Sequence, residues 1–194
     1  VVTEMEYRTR PYEKNAGETD RVTREAIEHL HEAFRRRPQQ RSKWGTALWY
    51  LGTGYFVRAL REVKARYDAI EVDRLRVKPV VKITGEFYLQ TEEGDPNYKI
   101  HRWLEAEGAE VYPAGITVWM DYLLRLGLQK FEDYSGIERG ARLKLGIGRA
   151  VQAIYRGVFG RLRRAMGSVA HELPYQKELR RLAAPYFNHR LDGG

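Results

Sequence analysis

Apolar residues recur along most of this chain at intervals of three and four, the spacing of one face of a helix. Ile27, Leu30 and Phe34 keep that spacing after a helix-entry signal at 16–20, where Thr19 or Asp20 is the expected cap. The helix they predict runs to Arg37, and Pro38 stops it. Ser42 is the expected cap of a second helix, from Lys43 to about Tyr67. Its stripe is Leu48, Leu51, Tyr55, Leu60 and Val63, with Trp44, Trp49 and Phe56 alongside. Gly45, Gly52 and Gly54 fall inside this pattern at a cost of up to ~1 kcal/mol each, and close helix–helix approach is the expected reason. A further helix is expected with Thr117 as cap and Trp119, Leu123 and Leu126 along one side. After a break at 133–140, Leu143, Ile147, Val151, Ile154, Val158 and Leu162 predict a long helix within 139–171. A last helix spans 173–184 and Pro185 ends it, leaving a linker-like tail. Residues 1–15 read as irregular or as a short helix.

Only residues 78–115 break the helical pattern in an organised way. The β-branched run Val80, Val81 and Ile83 suits a short buried strand over 79–84. Asp95 can cap a helix starting at Pro96, whose missing N–H costs nothing there. Ile100, Trp103 and Leu104 form its apolar face, and Gly108 is a natural left-handed stop. Residues 110–112 give a second brief strand, closed by Pro113. Strand, helix and strand in this order predict a parallel pair with a right-handed crossover. The expected fold is therefore α/β and helix-rich, a partial Rossmann-like parallel sheet packed with long amphipathic helices. Three segments are expected: helices over 1–77, the βαβ core over 78–116, and helices over 117–194.

Composition narrows the chemistry. The 194 residues are 43% hydrophobic, enough for one good core. The chain has no cysteine, which removes disulfides, thiolate metal sites and cysteine nucleophiles, and fits a cytoplasmic protein. His29 and His31 are two apart and point away from each other on a helix, so the histidines do not predict a metal site. No apolar run is long enough for a transmembrane helix, and the N-terminus has no signal-peptide core. A start without Met and an end in Gly193 and Gly194 read as cuts from a longer protein.

The formal net charge is +8, and the stretch 139–171 carries eight basic residues and no acidic one, an excess equal to the whole. Such a basic amphipathic helix supports three readings. It could lie on an anionic membrane, track a phosphate backbone, or pack its apolar face while its basic face is solvated or meets an acidic partner. The third is preferred over nucleic acid. Arg149, Arg156, Arg163 and Arg164 are the candidate docking or anion-binding residues. The triplet Arg35, Arg36 and Arg37 reads as a solvated helix end. Residues 51–54 look like a phosphate loop, but no strand precedes them and the motif fails on context.

No catalytic constellation is complete. Glu86 lies just past the C-terminal end of the first strand, where open α/β sheets bind ligands; its ordinary alternative is a local backbone hydrogen bond. Asn97 opens the following helix and, with backbone N–H groups, could bind an anion. Tyr88 could wall such a site.

Four stretches resemble the large CoA-substrate-specific enzyme activases and the 2-hydroxyacyl-CoA dehydratase-like family. They are Arg10, Pro11, Tyr12 and Glu13 followed by Gly17, Glu18, Thr19 and Asp20; KPVVKITGEFY at 78–88; NYKIHRWLEAEGAEVYP at 97–113; and APYFNHRLDGG at 184–194. Lys82 departs from a common glycine, and Gln90 from a frequent arginine. The resemblance implies a parent protein in which an ATPase module drives a low-potential electron to a module holding a [4Fe-4S] cluster through cysteines. This chain would be a scaffold fragment of it. It would contribute one side of an acyl-CoA and cluster site through Glu86, Tyr88 and Asn97, would hold no cofactor, and would not be catalytic alone. Its implied partners are the rest of the parent chain or a partner subunit, and an exposed sheet edge would favour self-association. The alternative is a stand-alone basic module that binds nucleic acid or an acidic protein.

Overall fold

Two helices 20 residues apart in the chain build the core because their small and β-branched positions meet. In the computed structural model, which describes residues 1–38, 42–85, 92–112, 116–137, 139–167 and 176–186, helix α2 (Glu18–Arg35) lies on helix α4 (Tyr55–Asp68). Val22 and Ala26 pack with Leu60, Val63 and Tyr67, and Ile70 completes the layer. Tyr67 keeps its hydroxyl satisfied by Thr23 at 2.7 Å, as a buried phenol requires. Ile27 and Phe34, expected to face this core, are about half exposed; the buried face of α2 is instead Thr19, Val22, Thr23 and Ala26. Small residues won that face because they let the two helices approach closely.

The N-terminal segment is a helix, α1 (Val2–Thr9), continued by a 3₁₀ turn at Arg10–Tyr12. Helix α3 (Lys43–Gly52) starts as the sequence implied, with Ser42 Oγ accepting from the Gly45 N–H at 2.9 Å. The long helix expected over 43–67 is broken: α3 ends at Gly52 and α4 begins at Tyr55. Close approach is not why glycine stands at 52 and 54, since a Cβ at either would meet nothing within 4 Å. They mark the break instead, where glycine's poor helix propensity is no handicap.

The parallel pair is present. Strand β1 (Val80–Lys82) runs beside β2 (Glu110–Tyr112), with Val80 opposite Glu110 and Lys82 opposite Tyr112. Helix α5 (Ile100–Ala106) crosses between them and ends at Gly108, whose φ of +97° only glycine adopts cheaply. The helix does not start at Pro96. A 3₁₀ turn at Asp95–Asn97 is followed by Tyr98 and Lys99 at φ +57° and +54°, and α5 begins after them. β1 is also less covered than expected, with Val80 half exposed. β2 takes the buried place, against α1 and α5.

These elements form one compact unit, Val1–Gly115 together with Val158–Val169; the second comprises Ile116–Gly157 and Ala170–Gly194. The second unit contains α6 (Ile116–Asp133), most of α7 (Ala141–Ala165) and α8 (Gln176–Ala183). Thr117 lies inside α6 rather than capping it. The protein is thus helix-rich with a small two-stranded parallel sheet, and no helix among the described residues is long and apolar enough to cross a membrane.

The second unit reverses the expected polarity. Trp119, Leu123 and Leu126 on α6, and Leu143, Ile147, Val151 and Ile154 on α7, are all at least 40% exposed. Much of what joins the helices is polar. Arg156 makes a two-pronged ion pair with Asp121 at 2.9 and 3.0 Å, and Gln152 donates to the same carboxylate. Tyr155 donates to the Thr117 carbonyl at 2.8 Å. Gly148 permits the closest contact, since a Cβ there would come within 2.7 Å of Leu128. Spacing at three and four defines a helical face but not the direction it points, and here the carboxylates of α6 drew the α7 arginines inward.

Candidate functional site

The densest polar cluster lies in the first unit, around a buried arginine. Arg10 ends α1, and its side chain is only 4% exposed. Its guanidinium spans four carboxylates. Nε and Nη2 donate to Glu105 on α5 at 2.7 and 3.0 Å, and Nη1 donates to Glu6 one turn earlier at 2.9 Å. Nη2 reaches Glu93 at 3.0 Å, and Nη1 reaches Asp20 on α2 at 3.4 Å. Arg102 closes the ring from the solvent side, on Asp20 at 2.9 and 3.0 Å and on Glu93 at 2.6 Å. A planar five-donor group suits such a junction, where lysine would not.

Glu13 works beside it. Its carboxylate accepts from the backbone N–H of Gly17 and of Thr19, both at 2.7 Å, and so caps α2 from outside the helix. The expected caps, Thr19 and Asp20, are not used this way: Gly17 stands at the cap position with φ +83°, and Asp20 serves the arginines. Tyr12 donates to Glu110 on β2 at 2.8 Å. We expect Glu13→Ala to cost about 1–2 kcal/mol, the usual loss for a helix cap, read as a lower midpoint in urea with an unchanged slope.

Against this charged ring lies a neutral, buried group of polar side chains. The Tyr7 hydroxyl is 2.9 Å from Glu93 and 2.8 Å from His101 Nδ1. Asn97 contacts the same Nδ1 at 3.2 Å and donates its amide to the Glu92 carbonyl. Asn97 and His101 are each 1% exposed, and His101 Nε2 and Asn97 Oδ1 find no partner among the described residues. Buried polar groups are satisfied in native proteins, so an amide oxygen and a ring nitrogen left over here suit recognition of a small polar group. The two left-handed residues Tyr98 and Lys99 hold Asn97 and His101 together, a local strain of the kind found at ligand clamps.

Electrostatics follow from burial and from the arginines. Burial pushes the Glu6 carboxyl up to about 7, against the pull of Arg10 and with help from Glu93 and Asp20. Burial likewise lifts Glu105 despite its pairing with Arg10. For Glu93 and Asp20 burial acts upward but loses: Arg10, the Tyr7 hydrogen bond and Arg102 hold Glu93 low, and Arg102 with Arg10 holds Asp20 low. Burial lowers His101, with Arg10 adding to it and Glu93 opposing, which keeps the imidazole neutral.

The pH dependence follows from these directions. Glu6 is raised, so its contribution to stability is complete below its ordinary value of 4.5 and is lost as pH climbs through about 7. Asp20 and Glu93 are lowered, so their contribution holds above the ordinary carboxylate range and is lost as pH falls through their folded values. His101, also lowered, loses stability in acid, where only the unfolded chain takes its proton. The lowered His101 imidazole and Val1 amino group act in the opposite direction over part of this range, so the Glu6 share is read from a variant: between about pH 6 and about pH 8 the native chain should lose more stability, or gain less, than Glu6→Gln does. Urea midpoints of the two proteins across this range check it; parallel pH profiles would contradict it.

Of the residues singled out by sequence, Asn97 joins this cluster. Glu86 and Tyr88 lie outside the described residues. Arg149 pairs with Glu132 at 3.3 Å, Arg156 with Asp121, and Arg163 with Glu4 at 3.4 Å, while Arg164 is exposed. Three of these four arginines therefore serve the chain's own carboxylates. Arg10 was noted only as part of a motif, and Glu93, His101 and Glu105 were not named as site residues from sequence. The available signal was an arginine directly before Pro11, with Glu6 one turn earlier.

Among the described residues no group of three or more His, Asp or Glu side chains is placed to hold a metal ion. The chain also lacks the cysteines that an iron–sulfur cluster needs, so its residues do not fit that group. Comparison with protein-family models, with curated proteins and with solved structures gives no match in any of the three.

Proposed function

We propose that this chain is a scaffold piece of a protein resembling the CoA-substrate-specific activases and 2-hydroxyacyl-CoA dehydratases. In it the βαβ unit belongs to a larger Rossmann-like sheet, and the chain forms one wall of an acyl-CoA and iron–sulfur site without doing chemistry alone. A single observation carries this reading: three of the four stretches that bear the resemblance touch one another, two of them through one polar cluster and the third through strand pairing. Arg10 and Glu13 from the first motif engage Asp20, Gly17 and Thr19 from its continuation and Glu105 from the 97–113 stretch; Tyr12 engages Glu110. The Val80–Lys82 strand pairs with the end of that same stretch. The convergence supports treating these motifs as one inherited unit. Asn97 and His101, each buried with a polar atom that finds no partner among the described residues, are the ligand-facing candidates in it. ATP and the cluster would be supplied by other parts of the parent.

The test is to express the natural reading frame that contains this chain and reconstitute it anaerobically with iron and sulfide. A cysteine-bearing segment that acquires charge-transfer absorption is expected. A frame with no such segment and no ATPase partner overturns the reading. The rival reading, a nucleic-acid module, is weakened because Arg149, Arg156 and Arg163 are paired internally. Steeply salt-dependent binding of random DNA would restore it.

A further inference from the structure

We propose that the connector between α4 and β1 is a membrane-contact loop. It sets Leu75 and Val77 into the interface of an anionic bilayer while Arg74, Arg76 and Lys78 meet the lipid phosphates. The inference rests on the first unit alone and does not depend on the activase reading.

Both feet of the loop are held. On the α4 side the Lys14 N–H donates to the Glu71 carbonyl at 2.9 Å, and the Asp73 N–H donates to the Tyr12 carbonyl at 2.8 Å. Val72 forms a bridge with Glu13 between them. On the β1 side the Glu110 N–H donates to the Pro79 carbonyl at 2.9 Å. At the tip the Asp73 carboxylate accepts from the Leu75 N–H at 3.1 Å and turns the chain. Leu75 and Val77 are 94% and 95% exposed, more than any other large apolar side chain among the described residues. Values this high mark a projection, since side chains in a groove or on a flat face are partly covered by their neighbours.

The charge around the tip is of one sign. Residues 74–82 hold Arg74, Arg76, Lys78 and Lys82 and no acidic residue. Arg74, Arg76 and Lys78 form no ion pair with a described carboxylate. Arg74 and Lys78 instead lie over the Tyr12 ring, 5.3 and 6.0 Å from its centroid. The carboxylates of this corner are engaged elsewhere: Asp73 by the Leu75 N–H, Glu110 by the Tyr12 hydroxyl, and Glu71 by Lys14 at 3.7 Å. Arg149, Arg156 and Arg163, by contrast, serve carboxylates of the chain.

An anionic bilayer matches both features at once. Its interface takes in projecting aliphatic side chains, and its lipid charge attracts the cations beside them. The long stems of arginine and lysine keep their heads at the phosphates while the tip sinks. The other occupants fit less well. A nucleic acid would use the cations but gain nothing from a leucine and a valine between them. An acidic peptide would have to wrap a projection. A second copy would bring cationic tips together in a chain of net charge +8.

The test is sedimentation of the 194-residue chain with vesicles of phosphatidylcholine, with and without phosphatidylserine. Binding is expected only with phosphatidylserine, and high salt should weaken it. Leu75→Ser combined with Val77→Ser should keep the thermal midpoint, both side chains being exposed, yet lower the vesicle partition at least about tenfold. Arg76→Gln should lower it roughly fivefold. Because the chain has no cysteine, Leu75→Cys carries a single nitrobenzoxadiazole label, whose emission should rise and shift to the blue on phosphatidylserine vesicles. The same label through Glu28→Cys, on the exposed side of α2, should not respond. Absence of sedimentation, sedimentation indifferent to the serine pair, or an unresponsive label at 75 overturns the proposal. So does binding of random DNA in place of vesicles.

Discussion

Arg10→Ala is expected to destabilise the chain by about 3–5 kcal/mol, the cost of stripping one partner from a buried ion network. A domain of this size has only ~5–15 kcal/mol in total, so the variant should be largely unfolded at moderate urea. The reason is what the substitution leaves behind. Glu6, Asp20, Glu93 and Glu105 all point at the guanidinium, and without it only Arg102, on the exposed side, stands against them. Some relief comes from protonation, since burial has already raised Glu6 and Glu105. The loss should therefore be smaller in mild acid than at neutral pH. Arg10→Lys should recover little, because an ammonium cannot reach the two-pronged geometry on Glu105 and Glu93 together. Urea unfolding followed by circular dichroism reads this. A loss under about 1 kcal/mol would mean that water reaches the carboxylates as readily as the arginine does.

Met166→Ala is the second large effect, at about 2–5 kcal/mol for removing a buried side chain and leaving a cavity. Met166 follows the last turn of α7 and is 1% exposed, packed with Ala165 into the layer formed by Val22, Leu60, Val63 and Tyr67. Leu162 lies against the same layer. These residues tie 158–169 into the first unit. Met166→Leu should cost less than about 1.5 kcal/mol, since volume is nearly kept. Thermal melts of the two variants separate the cases. Equal, small losses would show that Met166 occupies a site able to collapse around the missing atoms.

The contrast between these two residues shows where the sequence was readable. Some local signals were sound. Ser42 caps α3, Gly108 stops α5 with positive φ, and the Val80–Lys82 and Glu110–Tyr112 strands pair in parallel. Each depends on chemistry within a few residues, so the spacing carries it. Other local signals failed, at Thr117, at Pro96 and at the 52–54 break; the remaining failures needed partners from afar. The capping carboxylate of α2 is Glu13, in the segment before the helix, where the sequence pointed to Thr19 or Asp20 inside it. The Arg10 cluster draws on 6, 20, 93, 102 and 105, and no short motif spans them. In the second unit the periodicity named the apolar faces of α6 and α7 correctly but not their direction. That direction goes with Asp121, which holds Arg156 between the helices, and with Glu132, which pairs with the more exposed Arg149. Of the candidate site, only Asn97 was legible, because helix starts draw attention to amides; its partner His101 lay inside what reads as an ordinary amphipathic turn.

A double-mutant cycle between Arg10→Met and Glu105→Gln tests most directly whether these distant motifs act as one unit. The two side chains meet at 2.7 and 3.0 Å across 95 residues of chain. If the cluster joins the segments as described, the double variant should lose less than the sum of the singles, with a coupling of about 1–3 kcal/mol by urea unfolding. Additive losses, within about 0.5 kcal/mol, would contradict it, because the arginine and the glutamate would then be stabilising separate parts of the chain.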